Sequence, residues 1–234
     1  MAKKKQPPAP RNTDPWYYLH YDRKNNLCWL MQPAICDQSE ENTGLTDGTM
    51  DYIRKSLNKW KDEGVTKFIA DDTPLGDFMT GENLSEFTEK ALAVVIKPNC
   101  TKGELWNFID RPDRYLFDVN DDLVDDAEIM GVMCYSPTMG GSYSMDYNIV
   151  NKKHRGKGLG TAMLKSFIEN PEFFTGREKI KGVHATVRED NEPSIKSLMK
   201  NGLRVVPGSH RLFGINHGKR YFMYQRILDN SMGK

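Results

Sequence analysis

The sequence predicts an α/β chain of the α+β kind, in which helices are layered on a mixed sheet. Three observations carry that prediction. From Ala91 onward the apolar pattern reads strand, strand, strand, helix, strand, helix, strand, strand. The turn signal Met139-Gly140-Gly141-Ser142 joins the second and third of these strands, so they should pair antiparallel. The third strand then runs into NIVNKKHRGKGLGTAML (Asn148 to Leu164), where a basic, glycine-punctuated turn opens a helical pattern.

Taken in order, residues 1–15 are basic and proline-rich, with no apolar segment behind them. They read as a solvated, disordered tail and not as a secretory signal. Trp16 to Met31 mixes aromatics with charges and can supply one or two strands. Met50, Ile53, Leu57 and Trp60 recur on one helix face, with Asp47 or Thr49 as cap and Gly64 beyond the end. Ala91 to Ile96 is a buried strand closed by Lys97-Pro98-Asn99, and a long acidic and aromatic insertion fills 99–127. Glu128 to Tyr135 is the next strand, ending at Ser136-Pro137, and Tyr143 to Val150 is its hairpin partner. After the glycines, Leu159, Ala162, Met163, Phe167 and Ile168 form a core-facing stripe that Pro171 ends. Val183, Ala185 and Val187 alternate with His184, Thr186 and Arg188 as a strand. Asn191 and Pro193 open a helix through Ile195, Leu198 and Met199, closed by Asn201-Gly202. Leu203 to Val206 and Tyr221 to Ile227 supply the last two strands.

Composition narrows the function. A chain of 234 residues can bury a proper core. A formal net charge of +1 sets up no global field toward nucleic acid or membrane, so any anion site must be local. The apolar runs are far shorter than the roughly 20 residues of a spanning helix. None of Cys28, Cys36, Cys100 and Cys134 forms a C-x-x-C pair, and the histidines show no ligand spacing, so no metal is expected. Free thiols point to a reducing cytoplasm. The basic run lacks interleaved aromatics, which ranks a nucleic-acid partner last.

The glycine turn suits a phosphate. A helix start leaves backbone N–H groups without intrahelical partners, its dipole favours negative charge, and glycine allows close approach. Arg155 and Lys157 add charge at the rim. A Walker A loop needs Ser or Thr after its lysine, but Gly158 follows Lys157. A dinucleotide fingerprint needs G-x-G-x-x-G, whereas the spacing here is Gly156-x-Gly158-x-Gly160. The pattern [QR]-x-x-G-x-[GA] is met in full by Arg155, Gly158 and Gly160.

That last pattern resembles the acetyl-CoA loop of the GNAT superfamily of N-acetyltransferases. NEPSIKSLMKNGLRVV (Asn191 to Val206) resembles the family's second landmark helix, one strand further on, and the likeness covers about Leu92 to Ile227. MDYNI followed by GKGLGTAML is locally similar to aminoglycoside 6′-N-acetyltransferases. The resemblance implies a mostly antiparallel central sheet with one splayed strand pair, and acetyl-CoA as co-substrate. It implies that backbone N–H groups of Arg155, Gly156, Lys157, Gly158, Leu159, Gly160 and Thr161 hold the pyrophosphate. Ile149 and Val150 would splay from the His184–Val187 strand to admit pantetheine, which Asn191 would face while also capping its helix. It divides the chain into a tail at 1–15, an N-terminal extension with acceptor-side helices at 16–90, and an acetyltransferase core at 91–230.

The implied reaction is direct attack of a primary amine on the thioester within a ternary complex. Asp146, on the strand leading into the turn, is the candidate base or amine-binding group. The competing reading is a solvated or ion-paired carboxylate. An aspartate ionises near about 3.9 in water, so burial or a relaying water is needed for it to act as a base. Leu198 stands where many family members carry a tyrosine acid, which keeps a non-catalytic CoA-binding or interaction module as the alternative. Tyr147 and His184 read as structural, His154 as loop decoration or a phosphate contact, and His210 and His217 as a faint hint of an acceptor loop. The acceptor would be a small-molecule amine or a protein N-terminus or lysine. The aspartates of 99–127 could attract a polycation, although a solvated loop is the plainer reading. Oligomeric state is left open.

Overall fold

The computed structural model describes residues 17–22, 27–35, 47–60, 91–97, 115–116, 127–176, 179–213, 215 and 218–228. Among the described residues nine strands form one sheet: β1 (Tyr17–Asp22), β2 (Leu27–Ile35), β3 (Ala91–Ile96), β4 (Tyr115–Leu116), β5 (Ile129–Thr138), β6 (Ser142–Val150), β7 (Gly182–Arg188), β8 (Arg204–Val205) and β9 (Tyr221–Ile227). Their order across the sheet is β4-β1-β2-β3-β5-β6-β7-β9-β8. Every neighbouring pair is antiparallel except β6 and β7. The α-helices among the described residues are α1 (Asp47–Asn58), α2 (Leu159–Glu169), α3 (Pro171–Thr175) and α4 (Glu192–Lys200). None of them is long and apolar enough to cross a membrane, among the described residues.

The centre of the sheet reads as a continuous apolar run because both its faces are covered. On one face Met133 and Tyr135 of β5, Tyr143 and Met145 of β6, and Val183, Ala185 and Val187 of β7 pack in one cluster with Leu159, Met163 and Phe167 of α2 and Leu198 of α4. Phe167 is fully buried, with its ring 4.8 Å from Tyr135, 5.5 Å from Phe174 and 5.8 Å from Tyr143, centroid to centroid. The Tyr135 hydroxyl donates to the Phe174 carbonyl at 2.7 Å. On the opposite face Val132 and Cys134 are buried, and α1 lies against β5 with Ile53 and Leu57 buried. Tyr52 anchors α1 by donating its hydroxyl to the Ala127 carbonyl.

Three local features differ from the sequence reading. β5 continues through Pro137 to Thr138. Its pairing with β3 ends at Tyr135, so Pro137 needs to offer no N–H on that side. Pro171, two residues past the end of α2, is the first residue of α3. Tyr115–Leu116 add a short edge strand beside β1. Residues 99–114 and 117–126 of the acidic insertion, Gly64, Cys36, Cys100, His217 and the tail lie outside the described residues.

Candidate active site

The site is organised by a pair of strands that part. β6 and β7 pair in parallel only at Ser142↔Gly182, Tyr143↔Val183 and Ser144↔His184. Beyond that rung β6 runs on to Val150 and β7 to Arg188 without pairing to each other, so a gap opens towards their C-terminal ends. Where it opens, β6 carries a bulge. Tyr135 pairs with Met145 and Cys134 with Tyr147, which leaves Asp146 as the extra residue. A bulge re-aims the side chains that follow it. Met145 packs in the helix-side cluster, and past the bulge it is Val150, not Ile149, that packs there. Ile149 pairs with Val132 and is buried on the other face.

The open end of the gap leads to the glycine turn. Asn151 caps a short 3₁₀ turn, Lys152–His154, accepting from the Lys153 N–H. His154 Nε2 meets Glu128 Oε1 at 3.1 Å, which fastens this turn to the start of β5. Arg155 is exposed, yet its Nε donates to the Val150 carbonyl at 2.9 Å and its own N–H turns back to the Lys152 carbonyl at 3.4 Å. The Val150 carbonyl is therefore already used within the chain.

Gly156 and Gly158 have φ of +78° and +85°, the left-handed region that glycine enters without strain. A Cβ built on either meets nothing within 4 Å, so both glycines border open space. The bond from the Ala162 N–H to the Gly158 carbonyl begins α2, so the N–H groups of Leu159, Gly160 and Thr161 precede any intrahelical bond. Lys157 is exposed beside them, while Leu159 is buried as the anchor of the helix start. Asn148 donates from Nδ2 to the Gly160 carbonyl at 2.9 Å, and Asn201 donates from Nδ2 to the Thr161 carbonyl at 3.0 Å. These two amides fix the helix start to β6 and to the end of α4. The result is a rigid, positively edged ring of backbone donors, which is an anion site in form.

At the closed end of the gap lies a polar cluster. Asp146 accepts from Ser136 Oγ at 2.9 Å on Oδ2 and from Ser144 Oγ at 2.7 Å on Oδ1. His184, half-buried, is the rung partner of Ser144. Burial holds its imidazole below the ordinary value of 6.5, and the Asp146 carboxylate opposes that shift in part. At the end of β7, Arg188 is buried and forms a two-pronged bond with Asp190, Nε to Oδ1 at 2.6 Å and Nη2 to Oδ2 at 3.3 Å. That bond from Arg188 holds the Asp190 carboxyl below its usual range.

Asp146, Ile149, Val150 and the 155–161 turn are thus strung along β6 and its exit. Asn191 caps α4 at the C-terminal end of β7, accepting from the Ser194 N–H at 3.3 Å. Leu198 is buried in the helix-side cluster. His210 packs against Phe222 with ring centroids 5.3 Å apart and planes tilted by 44°. Ser136, Ser144 and Asn148 were not singled out in the sequence. A hairpin centred on Gly140 already pairs Ser136 with Ser144, and Asn148 is a lone amide on a strand just before the glycines, so the signals were there to be used.

A family model described as the acetyltransferase (GNAT) family matches residues 82–203, just over half of the chain. The chain belongs to the GNAT acetyltransferase family, acyltransferases that use acetyl-CoA as co-substrate. Among solved structures, spermidine N-acetyltransferase from Vibrio cholerae in complex with CoA and spermine matches with a TM-score of 0.51 and 10% identity, over 84% of this chain and 95% of that one. A GNAT-family acetyltransferase from Bacillus anthracis matches with a TM-score of 0.49 and 14% identity, over 90% of this chain and 98% of that one. Nourseothricin acetyltransferase matches with a TM-score of 0.41 and 15% identity, over 60% of this chain and 66% of that one. At 10% identity the likeness to the spermidine N-acetyltransferase is one of fold. No curated protein matches the sequence.

Proposed function

We propose that this chain moves an acetyl group from acetyl-CoA to a primary amine by direct attack within a ternary complex. The observation that carries the reading is the end of β6–β7 pairing at Ser144 and His184, with a carboxylate on the bulge at the closed end and a ring of free donors at the open end. The residues fit acetyl-CoA. The open space above Gly156 and Gly158 admits a pyrophosphate, which the N–H groups from Gly156 to Thr161 would hold, with Arg155 and Lys157 at its rim. The β6 edge at Ile149 and Val150, and Asn191 across the gap, would flank the pantetheine arm. When bound, acetyl-CoA supplies an acetyl group activated as a thioester.

The chain's own groups supply the rest. Backbone N–H groups on the unpaired β6 edge are donors for charge developing on the carbonyl oxygen. Asp146 would hold the amine or take its proton. Leu198 carries no hydroxyl, so the leaving thiolate must find its proton elsewhere. Residues 91–230 form the acetyl-transfer core in this reading, and the N-terminal extension at 16–90 serves the acceptor side. The reading carries a cytoplasmic setting with it.

Thiol release from acetyl-CoA in the presence of a polyamine, an aminoglycoside, a peptide with a free N-terminus and a lysine peptide tests the proposal. Stoichiometric N-acetylated product is expected with at least one of them. Binding of acetyl-CoA with no acetylated amine in any of them would overturn it.

A further inference from the structure

We propose that the imidazole of His184, rather than the carboxylate of Asp146, takes the proton that the attacking amine gives up, and that Asp146 holds that amine beside it. This rests on the acetyl-transfer reading above and assigns its proton path. Three placements support it. His184 is on the last rung before the strands part, across from Ser144, and so borders the closed end of the gap. Asp146 shares that face, since it is bonded to Ser144 and its charge acts on the imidazole. His184 is half-buried, yet among the described residues neither of its ring nitrogens has a hydrogen-bond partner, which leaves a lone pair for a ligand.

The two carboxylate oxygens of Asp146 are committed alike, each to a different serine. Each already accepts one serine hydroxyl and keeps acceptor capacity for one more donor. That arrangement grips an N–H. Because burial holds His184 below 6.5, the ring is neutral near neutrality and can accept a proton. Other charges on its face are engaged elsewhere. Arg188, further along β7, is bound to Asp190. Its β9 neighbour Gln225 is uncharged, and beyond that Arg204 of β8 donates to the carbonyls of Met199 and Leu203. On α1, which lies against β5, Arg54, Lys55 and Lys59 are exposed. Asp146 is the one charge, among the described residues, that acts on the ring.

The step balances without another reactant. The lone pair of the neutral amine forms the C–N bond, and the C–S bond breaks with its electron pair on sulfur. The proton shed by nitrogen goes to His184, and the imidazolium returns it to the thiolate. One residue then serves as base and acid in turn, which removes the need for a hydroxyl at Leu198.

Two measurements test this. The first is an NMR titration of His184 in the unmutated protein and in Asp146→Asn. An apparent pKa below 6.5 is expected, and a lower one still in Asp146→Asn, because the carboxylate raises it. A value at or above 6.5, or no downward move in the variant, would overturn the proposal, and this arm stands even if a His184 variant fails to fold. The second is kcat with whichever amine the panel identifies. His184→Gln should lower kcat by roughly 100-fold or more at unchanged acetyl-CoA affinity, and imidazole in the buffer should restore part of the activity of His184→Ala. Undiminished kcat in His184→Gln would overturn the assignment and leave acetyl transfer standing. An unmutated protein that binds acetyl-CoA and acetylates no amine would instead overturn the acetyl-transfer reading, and this proposal with it.

Discussion

Gly158→Ala separates the binding role of the glycine turn from its structural role. At φ +85° an alanine sits in the left-handed region at a cost of about 1–2 kcal/mol, but its Cβ meets nothing within 4 Å and so adds no clash to the free protein. For a domain of this size about 1 kcal/mol corresponds to a fall of about 2–4 °C in Tm. The Cβ does project into the space a pyrophosphate would need. Losing one charge-assisted hydrogen bond there costs about 1.5–3 kcal/mol, which is roughly a 10- to 100-fold rise in Kd. Gly160→Ala is the control. Its φ is not positive and its Cβ would make ordinary contact with Val150 Cγ2 at 3.4 Å, so it should leave Kd and Tm nearly unchanged. Calorimetric titration of acetyl-CoA and thermal unfolding of the two variants provide the assay. A Gly158→Ala protein with lowered Tm and unaltered Kd would show that the turn is structural and that the anion binds elsewhere.

Phe167→Ala should destabilise the fold by about 3–5 kcal/mol in urea unfolding, because it empties the centre of the aromatic cluster between Tyr135, Tyr143 and Phe174. Asn201→Ala removes the amide that ties α4 to the Thr161 carbonyl, and should cost about 1–2 kcal/mol while weakening acetyl-CoA affinity severalfold, read by unfolding and titration on one preparation. Stability should also fall as the medium is acidified past 6.5. His184 titrates lower in the fold than in the unfolded chain, so the unfolded chain binds more protons in that window, and stability present above 6.5 is lost as pH falls through the folded value. Urea midpoints above and below that window should differ less in His184→Gln than in the unmutated protein.

The path from sequence to site can be traced in particular residues. The β6–turn–α2 segment was legible because its signals are local: apolar strand, alternating glycines, helical stripe. The alternation of Val183, Ala185 and Val187 with His184, Thr186 and Arg188 gave the strand correctly. The bulge was hidden. Nothing local marks it: Met145 packs on the helix side and Ile149 on the other, and apolar residues suit either covered face of β6. The role of His184 could not be read for the same reason: its neighbours across the sheet depend on where β6–β7 pairing stops, which is a property of register and not of composition. β4 carries too few residues to show any periodicity.

A crystal structure of the chain with CoA and an amine that it acetylates tests the central claim most directly. The pyrophosphate is expected within hydrogen-bond distance of the N–H groups between Gly156 and Thr161, the pantetheine arm between β6 and β7, and the amine nitrogen on Asp146 with His184 beside it. A coenzyme bound away from the glycine turn, or an amine remote from Asp146 and His184, would contradict it.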